Sequence, residues 1–300
     1  MSIEEYKKKV QKARRIVAIG RDGFIMEPQP WITVLNFSGG RQSTVILWKL
    51  IRGELKISEN CGGRLLVLTA DPGMEGARTY KHVEAMQRRA RDAGLHAVTV
   101  EGPDLAQDLI EIGSKSRIDN PPFFTSRGEG KAGGRLRQKC TAFYKIAPMD
   151  RYIRKFWESE FGSGVPKPNT VEKWIGFSDD ERSRISTSNQ SYVYFRYPLI
   201  EEGLTKEGCL QYLRDIGEEI PPPSVCRACP ANRAETFKEM QQNDPEGFEL
   251  AELIDSRIRD LTSVGVKETC FVHSSRLPLR EVVDLDDVDE GECGSGYCFT

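Results

Sequence analysis

A glycine turn between two apolar runs carries the most chemical information in this sequence. Residues 32–37 are mostly apolar and β-prone, Ser38, Gly39 and Gly40 follow, and a second apolar run begins at Val45. This order predicts a strand, a tight turn and the N-terminus of a helix. Such a junction binds phosphate well, because glycines let an anion approach the backbone and the first N–H groups of the helix point at it. The alternative is an ordinary turn that needs two glycines.

Hydroxyl and amide side chains surround the same turn. The candidate phosphate-binding residues are therefore Ser38, Gly39, Gly40, Gln42, Ser43 and Thr44. Two better-known glycine loops are excluded, because the turn has neither a Gly-Lys-Ser/Thr ending nor Gly-x-Gly-x-x-Gly spacing.

Composition predicts one sizeable core without a dominant charge. The chain has 300 residues, is 38% hydrophobic, and carries 43 basic against 45 acidic residues. This balance excludes a global polycation that would demand nucleic acid. An apolar signal region and an apolar run of about 18 residues are both lacking, so we expect no membrane partner. The eight cysteines favour reduced thiols over a disulfide framework and hence a cytoplasmic location.

Strands and helices alternate along the first two hundred residues. The predicted elements are strands over 64–70, 96–100 and 171–177 and helices over 77–93 and 104–112. This alternation predicts an α/β fold, namely a doubly wound, mostly parallel, Rossmann-like sheet. The loops after the strands then share one edge, where such sheets bind ligands. Two further helices, over 233–242 and 245–262, predict a helical C-terminal part.

A stretch rich in glycine, proline and basic residues interrupts this pattern between 120 and 139. It predicts a mobile basic loop. Residues 127–139 of this loop could contact polyphosphate or a nucleic-acid substrate, or they could be solvated surface.

Five motifs, in order, resemble the adenine-nucleotide α-hydrolase superfamily, and in particular its PAPS (phosphoadenylyl-sulfate) reductase-like members. The loop from Ser38 to Thr44 is similar to the pyrophosphate loop, or PP-loop, of that superfamily. The other matching motifs are Asp71-x-Gly73-x-Glu75, Lys139-Cys140-Thr141 with Tyr144-Lys145-Ile146, Gly176-x-x-x-x-Glu181-x-x-Arg184, and Cys226-x-x-Cys229-Pro230. The resemblance covers about residues 30 to 260. At the position of Gln42, adenylating members usually carry Asp and PAPS reductases often carry Gln.

The resemblance implies an enzyme that binds ATP or PAPS together with Mg²⁺. Acids at the strand ends would hold Mg²⁺ or accept from a ribose hydroxyl, although Asp71 could instead form a turn. Arginine grips phosphate in a bidentate manner, although Arg182 and Arg184 could instead pair with the acids at 179–181. The implied nucleotide-binding residues are Asp71, Glu75, Arg182 and Arg184, and the implied catalytic residues are Asp71 and Lys145.

The cysteines form a second group. A Cys-x-x-Cys turn such as Cys226 to Cys229 points two thiolates at one soft metal ion, and in PAPS and APS reductase relatives the position of Cys140 lies near that pair. The resemblance thus implies a [4Fe–4S] cluster, with zinc or no metal as alternatives. The fourth ligand would be Cys270, Cys293 or Cys298, or one iron would stay open to a substrate sulfur. Cys209, which has apolar neighbours, is predicted to lie in the core.

The preferred function is adenylation of a substrate by ATP with release of pyrophosphate, followed by sulfur transfer at the cysteine centre with a sulfur donor or thiol reductant as partner. One alternative is a PAPS or APS reductase that produces sulfite, since Glu292-Cys293-Gly294 resembles the C-terminal motif in which a cysteine attacks sulfur. Another is a catalytically inactive nucleotide-binding module. An oligomer is compatible with each.

The predicted organisation has four parts. They are an N-terminal helix or extension over 1–29, a PP-loop nucleotide-binding α/β domain over 30–220, a Cys-x-x-Cys helical segment over 221–265, and an acidic cysteine-containing tail over 266–300.

Overall fold

The structure is a computed structural model that describes residues 30–114, 120–128, 132–162 and 165–285. The predicted N-terminal helix or extension lies outside these residues. So do Cys293 and Cys298, two of the candidate metal ligands, the first of which is also the candidate nucleophile.

The strands of the described residues form two sheets. In chain order they are β1 (Ile32–Asn36), β2 (Leu65–Ala70), β3 (His96–Val100), β4 (Phe124–Ser126), β5 (Ala132–Arg135), β6 (Val171–Trp174), β7 (Val193–Arg196) and β8 (Thr269–Phe271). Five of them form a parallel sheet in the order β3-β2-β1-β6-β7. The other three form a small antiparallel sheet in the order β5-β4-β8. The order of the large sheet reverses between β1 and β6, which is where doubly wound sheets bind ligands.

Helices surround the large sheet and build the C-terminal part. They are α1 (Arg41–Ile51), α2 (Ala77–Asp92), α3 (Leu105–Ile110), α4 (Ala147–Phe161), α5 (Pro198–Glu201), α6 (Lys206–Asp215), α7 (Ala234–Asn243), α8 (Pro245–Arg257) and α9 (Leu279–Val282). A π-helix over Thr141–Ile146 leads into α4, and a 3₁₀ turn covers Asp179–Arg184. Among the described residues, no helix is both long enough and apolar enough to cross a membrane.

Both faces of the large sheet are covered. Ile32 and Val34 of β1 pack with the apolar residues of α4 on one face, whereas Leu35 packs with α1 and α2 on the other. A strand that is apolar on both sides needs a helical layer on each side. The predicted doubly wound α/β fold is therefore confirmed.

A second core lies beside the sheet. It contains buried side chains of α3, α7, α8, β8 and α9. The residues from 266 to 285, predicted as the start of a tail, belong to this core, because Leu279 and Val282 are buried. The predicted loop at 120–139 differs as well: it contains β4 and β5, and β4 pairs with β8. That pairing joins segments about 145 residues apart, a distance over which local sequence patterns carry no signal.

Candidate functional site

The glycine turn after β1 has the geometry of an anion-binding loop. Gly39 has φ +74°, and a Cβ there would lie 2.5 Å from Cγ2 of Val83 on α2. Gly40 is the N-cap of α1, and no side chain caps this helix. The first N–H groups of α1 therefore have no intrahelical or side-chain cap, and the helix dipole adds positive potential there.

Hydroxyl groups brace the turn from inside. Ser43 Oγ donates to the Gly40 carbonyl at 3.0 Å and lies 3.2 Å from Ser38 Oγ, which accepts from the Gly40 N–H at 3.3 Å. Thr44 Oγ1 donates to the same carbonyl at 2.8 Å. Ser38 and Ser43 line the adjoining cavity, whereas Thr44 does not. Thr44 thus stabilises the loop through the Gly40 carbonyl without facing the cavity.

His82 on α2 supports Thr44. Its Nε2 lies 2.9 Å from Thr44 Oγ1, and since that hydroxyl already donates to Gly40, the imidazole must be the donor. Burial, aided by Arg89, lowers the pKa of His82 below its usual value of 6.5. The unfolded chain therefore takes up a proton at a pH where the folded chain does not.

We expect the stability conferred by neutral His82 to be complete above pH 6.5 and to be lost as the pH falls below that value. Urea denaturation at about pH 7.5 and about pH 5.5 measures this loss. In His82→Gln, which keeps a donor for Thr44, the difference between the two pH values should shrink. An unchanged difference would show that other groups cause the acid sensitivity.

A cavity of about 500 Å³ opens in front of the glycine turn. One wall is the end of β6, where a Cβ on Gly176 would lie 3.3 Å from the Ser43 nitrogen. The opposite wall is the segment 221–232, tied across the sheet edge by a hydrogen bond from Ser224 Oγ to the Ser38 carbonyl at 2.8 Å. The cavity thus lies at the switch point between β1 and β6.

The lining of the cavity is strongly cationic, although the whole chain has a net charge of −2. Among the described residues that line it, six are basic and one is acidic; they are Arg41, Arg135, Lys145, Arg184, Lys206 and Arg233, and Glu181. Low-dielectric walls with one sign of charge concentrate ions of the opposite sign. The cavity is therefore suited to a polyanion.

Glu181 organises the cationic side of this cavity. Its carboxylate accepts from Gln42 Nε2 at 3.1 Å, from the hydroxyl of Ser178 at 3.1 Å and from Arg184 Nη1 at 2.6 Å, and Lys206 Nζ lies 3.7 Å away. An acid at position 42 would face this buried carboxylate, which gives a physical reason for the neutral Gln42. Arg182 is oriented differently: it pairs with Asp179 and does not line the cavity.

The two predicted acids after β2 are engaged with neighbouring groups. Asp71 Oδ1 accepts from the Gly73 N–H at 2.8 Å and from the Tyr80 hydroxyl at 2.7 Å, so it forms a turn. Glu75 and Lys145 form a buried ion pair at 2.9 Å. Of these two acids and Lys145, only Lys145 lines the cavity. A Mg²⁺ ion in the cavity would depend mainly on ligand oxygens, because Asp71 and Glu75 do not line the cavity and Glu181 is hydrogen-bonded to three neighbours.

Three of the predicted metal ligands come together and one does not. Cys140, Cys226 and Cys229 all line the cavity. However, no three cysteine, histidine or acidic side chains in the described ranges are placed so that they could hold a metal ion. As positioned, the thiols do not fit a cluster. Cys270 lies in β8, away from the cavity lining, and burial raises its pKa to about 11.

Cys209 lies in the core, where burial raises its pKa to about 12. Sequence reasoning overlooked several residues that line the cavity, among them Asn36, Lys206 and Arg233, and it gave Glu181 no role at the site although it quoted Glu181 in a motif. Only Asn36 carried a usable signal, as a polar residue that ends an apolar strand just before the glycine turn.

Fold and site together define a doubly wound α/β protein whose switch point carries a glycine loop with the geometry of an anion-binding site. No protein-family model and no curated protein sequence matches the chain. Among solved structures, one match is U34-tRNA thiolase NcsA from Methanococcus maripaludis with its [4Fe-4S] cluster, at 15% identity and a TM-score of 0.37, covering 88% of this chain and 82% of that chain. Another is NH3-dependent NAD synthetase from Campylobacter jejuni subsp. jejuni NCTC 11168 in complex with the nitrate ion, at 10% identity and a TM-score of 0.33, covering 87% of this chain and 96% of that chain. The structural class of the protein therefore rests on its strand order and its loop.

Proposed function

We propose that this protein is a PP-loop enzyme that binds ATP and adenylates a substrate with release of pyrophosphate. The observation that carries the proposal is the uncapped N-terminus of α1, which opens into a cavity with six basic lining residues and one acidic residue. The PP-loop resemblance of residues 38–44 supports the choice of nucleotide. The apolar side chains of Ile175, Phe177 and Leu210 in the same lining suit an adenine ring.

The proposed reaction needs little covalent chemistry from the protein. A substrate oxygen attacks the α-phosphorus of ATP. The bond between that phosphorus and the oxygen that bridges it to the β-phosphorus breaks, and pyrophosphate leaves. The N–H groups of α1 and the cations Arg184 and Lys206 would stabilise the charge that develops on the leaving group. Holding the two reactants in one cavity supplies the rest of the rate enhancement. Bound Mg²⁺ would neutralise further phosphate charge.

The second part of the proposal is sulfur transfer at Cys140, Cys226 and Cys229 with an iron–sulfur centre. It is supported by the placement of these thiols around the proposed nucleotide cavity. A cluster would require an arrangement of these thiols other than the one in this structure, because no group of three potential ligands among the described residues is placed to hold a metal ion. Iron and sulfide analysis of anaerobically purified protein tests this part. Stoichiometric iron in the wild type that is lost in Cys226→Ser would support an iron–sulfur centre. Wild-type protein that contains no iron after reconstitution would contradict it.

A second candidate, PAPS or APS reduction with Cys293 as nucleophile, is favoured by one observation. Gln42, the residue common in PAPS reductases, is fixed by its hydrogen bond to Glu181. Thermal denaturation with Mg-ATP and with PAPS separates the two candidates, because a ligand at about 100 times its Kd stabilises the folded state by about 2.7 kcal/mol. Stabilisation by ATP alone supports adenylation. Stabilisation by PAPS alone, with sulfite release abolished in Cys293→Ser, supports reduction.

The arginines of one motif provide a matched test of the nucleotide site. We expect Arg184→Gln to weaken ATP binding by about tenfold or more, since hydrogen bonds to charged groups contribute about 1.5–3 kcal/mol. Arg182→Gln should change the Kd by less than about twofold by the same reasoning, because Arg182 does not line the cavity. Each change removes an ion pair with an acid three residues away. Calorimetric titration with ATP measures the Kd of each variant. Equal effects of the two substitutions would show that the phosphates do not bind beside Arg184.

A further inference from the structure

A row of cations begins at the last residue of β5 and continues along the segment that leads to the π-helix. From 135 to 139 the exposed residues are Arg135, Arg137 and Lys139, and the residues between them are half-buried. Gln138 and Cys140, which alternate with this basic row, line the cavity. The alternating exposure places the basic row (Arg135, Arg137 and Lys139) on the solvent side of this segment. Arg135 also lines the cavity, so the row lies beside the proposed active site.

The row is held in place and open to solvent. The Leu136 N–H donates to the Phe123 carbonyl at 2.8 Å, and the Lys139 N–H donates to the Asn120 carbonyl at 3.1 Å. Within the ranges that the structure describes, no carboxylate lies within 4.0 Å of a side-chain nitrogen of Arg135, Arg137 or Lys139. Arg135 Nε donates to the Pro122 carbonyl at 2.8 Å and its guanidinium lies over the Phe124 ring, contacts that do not neutralise its charge. Because all three side chains are exposed, they present positive charge to a ligand.

An exposed aromatic ring stands next to the row. Phe143 is 41% exposed, one of few large apolar side chains so exposed among the described residues. Its N–H donates to the Lys139 carbonyl at 3.3 Å, which places it one helical turn beyond the end of the row. Its ring contacts Tyr144, which lines the cavity, with ring centroids 4.9 Å apart. Proteins bind single-stranded nucleic acid with this combination of backbone-tracking cations and base-stacking aromatics.

We propose that the basic row and Phe143 bind a single-stranded segment of RNA or DNA and bring one of its nucleotides to the cavity as the acceptor. The proposal rests on the proposed function, because it supplies the substrate of the same site. A duplex fits less well, since its bases reach an enclosed pocket only after unpairing. Because the net charge of the chain is −2, binding would depend on this local row rather than on overall charge.

The test is fluorescence anisotropy of the whole protein with one labelled sequence as single-stranded RNA, as single-stranded DNA and as duplex DNA. We expect single strands to bind at least about tenfold more tightly than the duplex. With three phosphate contacts, log K should fall with log salt at a slope of about −2. The RNA and DNA arms identify the natural strand. No binding, or equal binding of single strand and duplex, would overturn the proposal.

Two variants separate charge from stacking. Arg137→Gln/Lys139→Gln should reduce the salt slope by about 1.4, whereas Phe143→Ala should weaken single-strand binding by about fivefold or more with the slope retained. The control Arg52→Gln/Arg88→Gln removes the same charge near the C-terminal ends of α1 and α2. These ends lie away from the sheet edge that carries the cavity. A slope reduced equally by the control would show that only overall charge acts.

ATP titration of each variant keeps this proposal distinct from the proposed function. If the wild type does not bind ATP, the proposed function is wrong. If the wild type binds ATP but does not bind single strands, only the nucleic-acid proposal is wrong.

Discussion

Replacing Lys145 by methionine is expected to destabilise the protein by about 3–5 kcal/mol, because it leaves the buried carboxylate of Glu75 without its cation. The two side chains are 6% and 9% exposed, and their charged atoms are 2.9 Å apart. Glu75 Oε1 also accepts from the Cys226 thiol at 3.8 Å, and among the described residues Oε2 has no hydrogen-bond partner. Urea denaturation of wild type and variant measures the change in the free energy of unfolding.

The double variant Lys145→Met/Glu75→Gln is the control for this prediction. A neutral amide at position 75 costs less to bury than an isolated charge, so the double variant should regain a large part of the lost stability. A loss below about 1 kcal/mol in Lys145→Met would contradict the buried ion pair, since that is the range of an exposed pair. ATP titration of the stable double variant then reports whether Lys145 also binds the nucleotide.

Replacing Gly39 by alanine is expected to abolish ATP binding and to lower stability. The left-handed backbone of Gly39 disfavours any side chain by about 1–2 kcal/mol. The added Cβ would also lie 2.5 Å from Val83 Cγ2, so the turn must move away from α2. Because the N–H groups of α1 depend on this turn for their direction, they would no longer donate hydrogen bonds to the nucleotide phosphates. Calorimetric titration with ATP and urea denaturation measure the two effects.

Gly53→Ala serves as a matched control for the backbone strain. Gly53 has φ +72°, close to the +74° of Gly39, but nothing lies within 4 Å of a Cβ built on it. This variant should lose about 1–2 kcal/mol and keep its ATP affinity. Adding Val83→Ala to Gly39→Ala removes the clash and should restore part of the binding. ATP binding by Gly39→Ala at wild-type strength would show that the loop does not hold the phosphates.

The sequence predicted most of the α/β part because its signals are local. The residues around Ile32–Asn36 and Leu65–Ala70 are apolar on both faces, and strands of this kind belong to a parallel sheet covered by helices. The N-cap role of Asp104 and the end of α2 before Gly94, at φ +81°, follow from short-range hydrogen bonds and backbone preferences. The order of the strands then follows largely from short, right-handed connections.

The composition of the cavity was only partly predictable. The motifs identified the glycine turn, Arg184 and the three cysteines, all of which reach one cavity. The sequence did not separate Arg184 from Arg182, because both stand beside acids in the same short segment. Only the 3₁₀ turn over Asp179–Arg184 directs one guanidinium to Glu181 at the cavity and the other to Asp179. A difference of two residues in a tight turn changes the direction of a side chain without changing the motif.

By itself, then, the sequence determined the sheet class, the phosphate-type turn and the buried thiol of Cys209, since each depends on neighbours a few residues away. Tertiary structure alone decided that Glu181 holds Gln42 and Arg184 together across 139 residues of chain, and that β4 pairs with β8. It also decided that Asp71 accepts a hydrogen bond from the Tyr80 hydroxyl. Such contacts are selected by the packing of the whole chain, because loop closure costs little extra with length and leaves no local pattern in the sequence.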